Sequence, residues 1–236
     1  NHVVVKEGKI SGLETAKSLM AELSGAYPAV PKNIPLGQVM ILGGGHVGER
    51  AARMASAMGG TVFLSEISQN RRKQLEREFD LAGLKIRLVN PEDTGHYEVC
   101  LSSSEVIIAA VHSAGKRAPL ILSSDLLAGI SKQKKKIILD IAIDQGGNVA
   151  ESRPSDYAEP LYVDSFGNLR FSVTNIPSLC GRGASLALEE VSLDYTLALV
   201  HGVEQAIKRY RELRSGINVL NGVLIHRAVR EAHRFD

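Results

Sequence analysis

Val39-Met40-Ile41-Leu42-Gly43-Gly44-Gly45-His46-Val47-Gly48, then a helical stretch, then Thr61-Val62-Phe63-Leu64-Ser65-Glu66: this segment decides how the chain is read. A short apolar run is followed by glycines spaced G-x-G-x-x-G, and an acid closes a second apolar run. Strand, glycine turn, helix, strand and terminal acid in that order suit a dinucleotide. Gly43 permits a tight turn, Gly45 lets the backbone approach a pyrophosphate, and Gly48 lets helix and strand pack closely. The helix starting near His46 and Val47 offers unpaired N–H groups and a positive dipole end to phosphate. His46 itself faces either solvent or phosphate. Glu66 stands 21 residues after Gly45, where a carboxylate accepts hydrogen bonds from an adenosine ribose. The same carboxylate repels a 2′-phosphate, so NAD is expected over NADP. Arg71 and Arg72, which could attract such a phosphate, are read as a solvated first turn of the next helix.

Outward from this segment the pattern repeats. A charged helix is expected over about 69–79, a strand over 85–89, a short helix toward Leu101 and a strand over 106–111. A short helix near Asp125 and the apolar run from Lys136 to Asp144 follow. Strands alternating with helices, several of them continuously apolar, predict an α/β protein: a Rossmann doubly wound parallel sheet covered on both faces. Beyond it, Leu161–Val163 and Leu169–Val173 read as a hairpin, 183–213 as long helices breaking near Gly202, and 217–225 as a hairpin on Asn221-Gly222. Residues 12–24 carry an apolar stripe (Leu13, Ala16, Leu19, Met20, Leu23) behind a Ser11–Glu14 capping box. The expected division is a linking helix and loop over 1–31, a nucleotide-binding domain over 32–176 and C-terminal helices over 177–236. The flanks belong to a partial second lobe. The apolar stripe of Leu186–Leu199 suits an interface or a core equally.

Composition narrows the class. The 236 residues are 44% hydrophobic with 5% aromatics and no Trp, as in an α/β protein built on aliphatic side chains. A net charge of +2 gives no case for nucleic acid or a membrane, and the run Lys132–Lys136 reads as a solvated helix end. Two cysteines, Cys100 and Cys180, suggest a reducing compartment without a disulfide framework. No stretch has bilayer-spanning apolar length, no signal peptide is seen and no metal site is expected, so the cytoplasm is the expected location. The chain begins at Asn1 rather than Met, and processing, trimming or cutting from something longer is expected.

From Glu105 onward the residues resemble the alanine dehydrogenase family and its relative, domain I of nicotinamide nucleotide transhydrogenase. The resemblance is carried by Leu139-Asp140-Ile141-Ala142-Ile143-Asp144-Gln145-Gly146-Gly147, Glu151-Ser152-Arg153-Pro154, Val173-Thr174-Asn175-Ile176-Pro177 and Gly115-Lys116-Arg117-Ala118-Pro119-Leu120. Asp-Gln-Gly-Gly, Ser-Arg-Pro and Ile217-Asn218-Val219-Leu220-Asn221-Gly222 are closer to alanine dehydrogenase, and Gly25–Val30 is similar to the family's segment before the first strand. The resemblance implies that Gly43, Gly45 and Gly48 hold the pyrophosphate and Glu66 the ribose. It places Arg71 near the adenine, Val111 along the cofactor cleft, Asp144 in the active site and Asn175 beside the nicotinamide. It implies reversible hydride transfer from an amine-bearing carbon to NAD, through an imine that water opens to a 2-oxo acid and ammonia. By the same analogy the chain forms a homo-oligomer.

On the residues alone, Asp144 ends a strand and opens a loop, where doubly wound sheets bind ligands; a loop-start cap is the plain alternative. Asn175 reads otherwise as a turn residue, in a segment before Pro177 that prefers an extended chain. Asp140 is expected to be a paired, mid-strand structural carboxylate. His112 reads as a solvent-facing loop residue near the cofactor cleft, and Cys180 as inert packing. The sequence departs from the family in two ways. The N-terminal lobe that grips the substrate and carries a catalytic histidine has no counterpart, and Ser178–Ser185 replaces a Thr-Ser-Thr segment. Three readings follow: an amino-acid dehydrogenase completed by a longer chain or another subunit, a dinucleotide-binding regulatory or partner subunit without independent catalysis, and a transhydrogenase-like domain. The first is preferred.

Overall fold

The alternating apolar and helical runs become one sheet and its covering helices in a computed structural model that describes residues 37–113 and 115–233. The expected helix over 12–24, with Ser11 and Glu14, and the segment Gly25–Val30 lie outside the described residues. Strands β1 (Gln38–Leu42), β2 (Thr61–Ser65), β3 (Ile86–Val89), β4 (Val106–Ala109) and β5 (Ile137–Asp140) are joined through α1 (His46–Ala57), α2 (Gln69–Leu81), α3 (Thr94–Ser103) and α4 (Ser124–Gln133). The hairpin β6 (Leu161–Val163) and β7 (Leu169–Phe171) completes a seven-stranded sheet of order β3-β2-β1-β4-β5-β7-β6. All neighbours are parallel except β6 and β7. The order reverses between β1 and β4, the switch point at which a doubly wound sheet opens a crevice. Leu42 lies level with Ser65 on one side and Ala109 on the other, so the strand ends leading to Gly43, Glu66 and Ala110 share one edge.

Burial on both faces explains the continuous apolar runs. Met40 and Leu42 pack with Tyr97, Leu101, Leu127 and Ile138 beneath α3 and α4. Their neighbours Val39 and Ile41 pack on the other face with Ala52, Leu64, Leu75 and Phe79 beneath α1 and α2. Each such side chain contributes about 1.5–3 kcal/mol by leaving water, so a charge at Ile41 would break the sheet where the crevice opens. Three helices begin on side-chain caps: Ser68, Asp93 and Ser123 accept from the backbone N–H of Arg71, His96 and Leu126. Helix α1 begins at Gly45 with no side-chain cap.

Two expectations are corrected. Strand β5 stops at Asp140, not Asp144, because β4 itself ends level with it, at Ala109. After a last rung from Ile141 N–H to the Ala109 carbonyl (2.9 Å), Ile143–Gln145 forms a 3-10 turn and Gly146 and Gly147 take positive φ (99° and 80°). The basic run is not wholly a solvated helix end either. Lys132, Lys134 and Lys135 are exposed, but Lys136 is 1% exposed and donates Nζ to the carbonyls of Ser102 (2.6 Å) and Ser104 (2.7 Å). Burial, then Lys134, pushes its pKa down while Glu105 opposes them.

The C-terminal part comprises α5 (Gly181–Val200), α6 (Val203–Arg209), α7 (Leu213–Gly216), the hairpin β8 (Val219–Leu220) and β9 (Val223–Leu224), and α8 (Arg227–His233). The expected break falls at Gly202, whose φ of 98° only glycine adopts readily. The apolar stripe of α5 is not a core here: Leu186, Leu188, Val191 and Leu197 are exposed, and its buried residues are Ala187 and Ala198. Among the described residues no helix is long and apolar enough to cross a membrane.

Candidate functional site

The glycine turn is built as its spacing implies. Gly43 has φ 99° and donates its N–H to the Ser65 carbonyl at 3.0 Å, tying the turn to the end of β2. A Cβ on Gly48 would lie 1.9 Å from the Gly43 carbonyl oxygen, so helix and turn meet only if this residue is glycine. A Cβ on Gly45 would meet nothing within 4 Å. That open space at a helix start without a side-chain cap is a cradle into which a phosphate fits. His46 is exposed and Val47 half-buried on the first turn of α1.

Glu66 is held by backbone. The Gly44 N–H donates to Oε2 (3.0 Å) and the Ser68 N–H to Oε1 (2.8 Å). Each carboxylate oxygen keeps acceptor capacity beyond these bonds. The two arginines are not a solvated helix turn. Arg71 donates Nε to the Gly44 carbonyl (3.0 Å) and Nη2 to Glu49 (2.8 Å), locking turn to helix. Arg72 donates to the carbonyls of Glu66 (2.5 Å) and Ile67 (2.8 Å) and to Asn90 Oδ1 (3.2 Å). The helix start draws them inward because the turn leaves carbonyls that need donors. Burial raises the Glu49 pKa, but hydrogen bonds and charge from Arg53 and Arg71 outweigh it and hold the carboxyl below its ordinary range.

A second set of residues lies along the same edge, after β4 and β5. Val111 sits beside the turn, its Cγ2 3.0 Å from where a Gly43 Cβ would be. It is fixed by Asn148, which is fully buried: the Val111 N–H donates to Asn148 Oδ1 (2.9 Å), and Asn148 Nδ2 donates to the carbonyls of Val111 (3.0 Å) and Pro119 (2.9 Å). Asn148 in turn gives its N–H to Asp140 (2.9 Å). Asp140 is a structural carboxylate at the strand end rather than mid-strand, satisfied also by Val149 N–H (3.1 Å) and Ser152 Oγ (2.5 Å). Arg170 donates to Ser152 Oγ (2.6 Å) and to Asp164 (3.0 Å), an ion pair with both side chains 0% exposed. Sequence reasoning missed Asn148, Ser152, Asp164 and Arg170. Their bonds span 6 to 37 residues with no common spacing, so no local period signals such a network.

The loop so held carries Asp144, and the structure brings it to Asn175, which follows β7. Asp144 is exposed on the 3-10 turn, and its Oδ2 accepts the Asn175 N–H at 3.4 Å. Asn175 is not extended before Pro177 but left-handed (φ 52°, ψ 50°), a region that asparagine tolerates better than most residues. Tyr157 Oη steadies the turn from the Ile176 carbonyl (3.2 Å). His112 is exposed, but it contacts Gln145 at 2.8 Å rather than solvent alone. Cys180 is exposed, not packed, and both cysteines are free.

The model of the alanine dehydrogenase/PNT C-terminal domain matches residues 11–227. The chain belongs to this alanine dehydrogenase/PNT family. Among curated relatives, alanine dehydrogenase 2 of Staphylococcus aureus (strain USA300) is 32% identical over 223 residues, which is 92% of this chain and 56% of that protein. Among solved structures, an L-alanine dehydrogenase superposes with a TM-score of 0.71 at 28% identity, over 95% of this chain and 62% of that one. A transhydrogenase from Sinorhizobium meliloti shares the fold (TM-score 0.62, 16% identity, 91% of this chain and 59% of that one). This family member thus spans little more than half the length of the relatives it matches.

Proposed function

We propose that the chain is the cofactor-holding part of an NAD-dependent amino-acid dehydrogenase of alanine-dehydrogenase type. The observation that carries this reading is the meeting of Asp144 and Asn175 on the sheet edge that also bears the uncapped glycine turn and Glu66. NAD binds along this edge. The main chain of Gly43, Gly45, His46, Val47 and Gly48 holds the pyrophosphate, and Glu66 accepts from the ribose hydroxyls. Arg71 keeps the turn in shape beside the adenine, and Val111 lines the crevice. When bound, the nicotinamide exchanges a hydride with the carbon that bears the substrate's amine. Asp144 orients the amine or the attacking water, and Asn175 presents its amide to the nicotinamide end. Over the full reaction an amino acid, NAD and water give a 2-oxo acid, ammonium, NADH and a proton.

Residues 32–176 form the cofactor unit, while 1–31 and 177–236 belong to a second lobe whose remainder comes from a longer polypeptide or another subunit. Closure of that lobe excludes water and completes the substrate contacts. The assembly is a homo-oligomer working in the cytoplasm. The test is a panel of amino acids incubated with NAD and the full polypeptide, read by the appearance of reduced nicotinamide. Asp144→Asn should keep NAD binding and lower turnover by about 10²-fold or more. Unchanged turnover would sink its role, and cofactor binding without turnover on any amino acid would favour a partner subunit.

A further inference from the structure

We propose that Asn148 is a positioning residue: its buried amide sets the nicotinamide side of the crevice and ties it to the Asp144 turn. The inference rests on the NAD reading above and concerns how the two halves of that site keep their spacing.

Three separate stretches meet at this one residue. The first follows β4: Val111 gives its N–H to Asn148 Oδ1 (2.9 Å) and receives Nδ2 on its carbonyl (3.0 Å). Both main-chain groups of Val111 are engaged as a neighbouring strand would engage them. The second stretch is the loop before α4. There the other amide hydrogen goes to the Pro119 carbonyl (2.9 Å), and the Asn148 carbonyl accepts from the N–H groups of Ile121 (2.7 Å) and Leu122 (3.1 Å). The third is the end of β5, where Asp140 receives the Asn148 N–H (2.9 Å). Asn148 is fully buried, and each hydrogen it can donate has an acceptor. The junction requires an amide of this length. Asp would bring no donor, and Leu neither donor nor acceptor.

Two observations make this junction part of the site. Val111 stands against the glycine turn, its Cγ2 3.0 Å from where a Gly43 Cβ would be, on the β4 side of the switch point. Glu66 is across it, on the β2 side. A dinucleotide with its adenosine ribose on Glu66 and its pyrophosphate on the turn therefore passes its other half over Val111. Asp144 is carried on a short closed loop, in which the Gly147 N–H returns to the Ala142 carbonyl (3.1 Å) and the Gln145 carbonyl accepts the Ala118 N–H (2.8 Å). Gly147, directly before Asn148, has φ 80°, and a Cβ there would lie 2.7 Å from Asp140 Oδ2. Val111 and Asp144 thus keep one spacing through the same residue. The glycine turn is tied separately, by Ser65, Glu66 and Arg71.

That separation supplies the test. ADP carries the adenosine and the pyrophosphate, and NADH adds the nicotinamide half. Dissociation constants of both are measured by calorimetry for the wild-type chain and for Asn148→Ala. The wild type should bind NADH more tightly than ADP. Asn148→Ala should lose that advantage while keeping its affinity for ADP, which also shows that the variant is folded. In the full polypeptide the same substitution should lower kcat by about 10²-fold, as for reacting groups misplaced by roughly 1 Å, with ADP still competing against NAD as in the wild type. Should Asn148→Ala not fold, Asn148→Ser, which keeps one donor and one acceptor, takes its place and should show a smaller loss of the same kind. Equal weakening of both ligands would make Asn148 purely structural, and unchanged binding of both would make it idle. Either result overturns the inference and leaves the NAD reading intact. Failure of the wild type to bind either ligand would overturn both.

Discussion

The two ends of the candidate site are held in opposite ways. At the glycine turn, backbone shape is fixed by close packing and a few charges at the helix starts: Gly48 meets Gly43, Gly44 meets Glu66 and Arg71, and Arg71 meets Glu49. At the Asp144 turn, the loop is fixed by Asp140, Asn148, Ser152, Arg170 and Asp164, which come from β5, the segment after it, β7 and the turn between β6 and β7. The first end depends on the absence of side chains and on charges that stay partly open to solvent. The second depends on fully buried charges. Damage should therefore spread differently from each.

The sharpest contrast is expected at the buried pair. Asp164→Ala leaves the Arg170 guanidinium uncompensated and should cost about 3–5 kcal/mol, lowering the thermal midpoint by about 10 °C and loosening the Asp144 loop with it. The double variant Asp164→Leu/Arg170→Met removes both charges and should recover much of that loss. If it is no more stable than the single variant, the pair is not what holds this end. Gly48→Val comes next: its side chain would overlap the Gly43 carbonyl, costing about 1–3 kcal/mol and abolishing NAD binding out of proportion to the lost stability. Retained cofactor affinity in a folded Gly48→Val protein would contradict the assignment of the turn.

The smallest effect is expected at Glu49, whose pKa is held below its ordinary range by Arg53 and Arg71. A depressed carboxylate contributes stability that is complete above its unfolded pKa and is lost as pH falls through its folded one. Glu49→Gln should therefore cost about 1 kcal/mol at neutral pH and nothing in strong acid, checked by denaturant melts at both pH values. An equal loss at both would mean that the glycine turn does not depend on this charge.

The same contrast explains what was legible in the sequence. The parallel sheet, the glycine turn and Glu66 were readable because each rests on a local period or spacing. Asp144 and Asn175 were singled out through a resemblance, and their approach to each other depends on the left-handed Asn175 and on a β5 that ends early, neither of which has a period. Arg71 and Lys136 were misread for one reason: in sequence a charge looks solvated, and only the fold shows the carbonyls that draw it inward. Asn148 gave no signal because its partners in the loop after β4 arrive from 29 and 37 residues away.

The central claim is that these two ends form one NAD site with Glu66 as its cofactor selector. Its most direct test is an equilibrium titration of the chain with NADH and NADPH, read by nicotinamide fluorescence, which no Trp disturbs because the chain has none. Saturable binding of NADH at least about tenfold tighter than NADPH, a difference of about 1.4 kcal/mol, with that preference lost in Glu66→Ala, is the predicted result. Equal binding of the two cofactors, or no saturable binding of either, would contradict it.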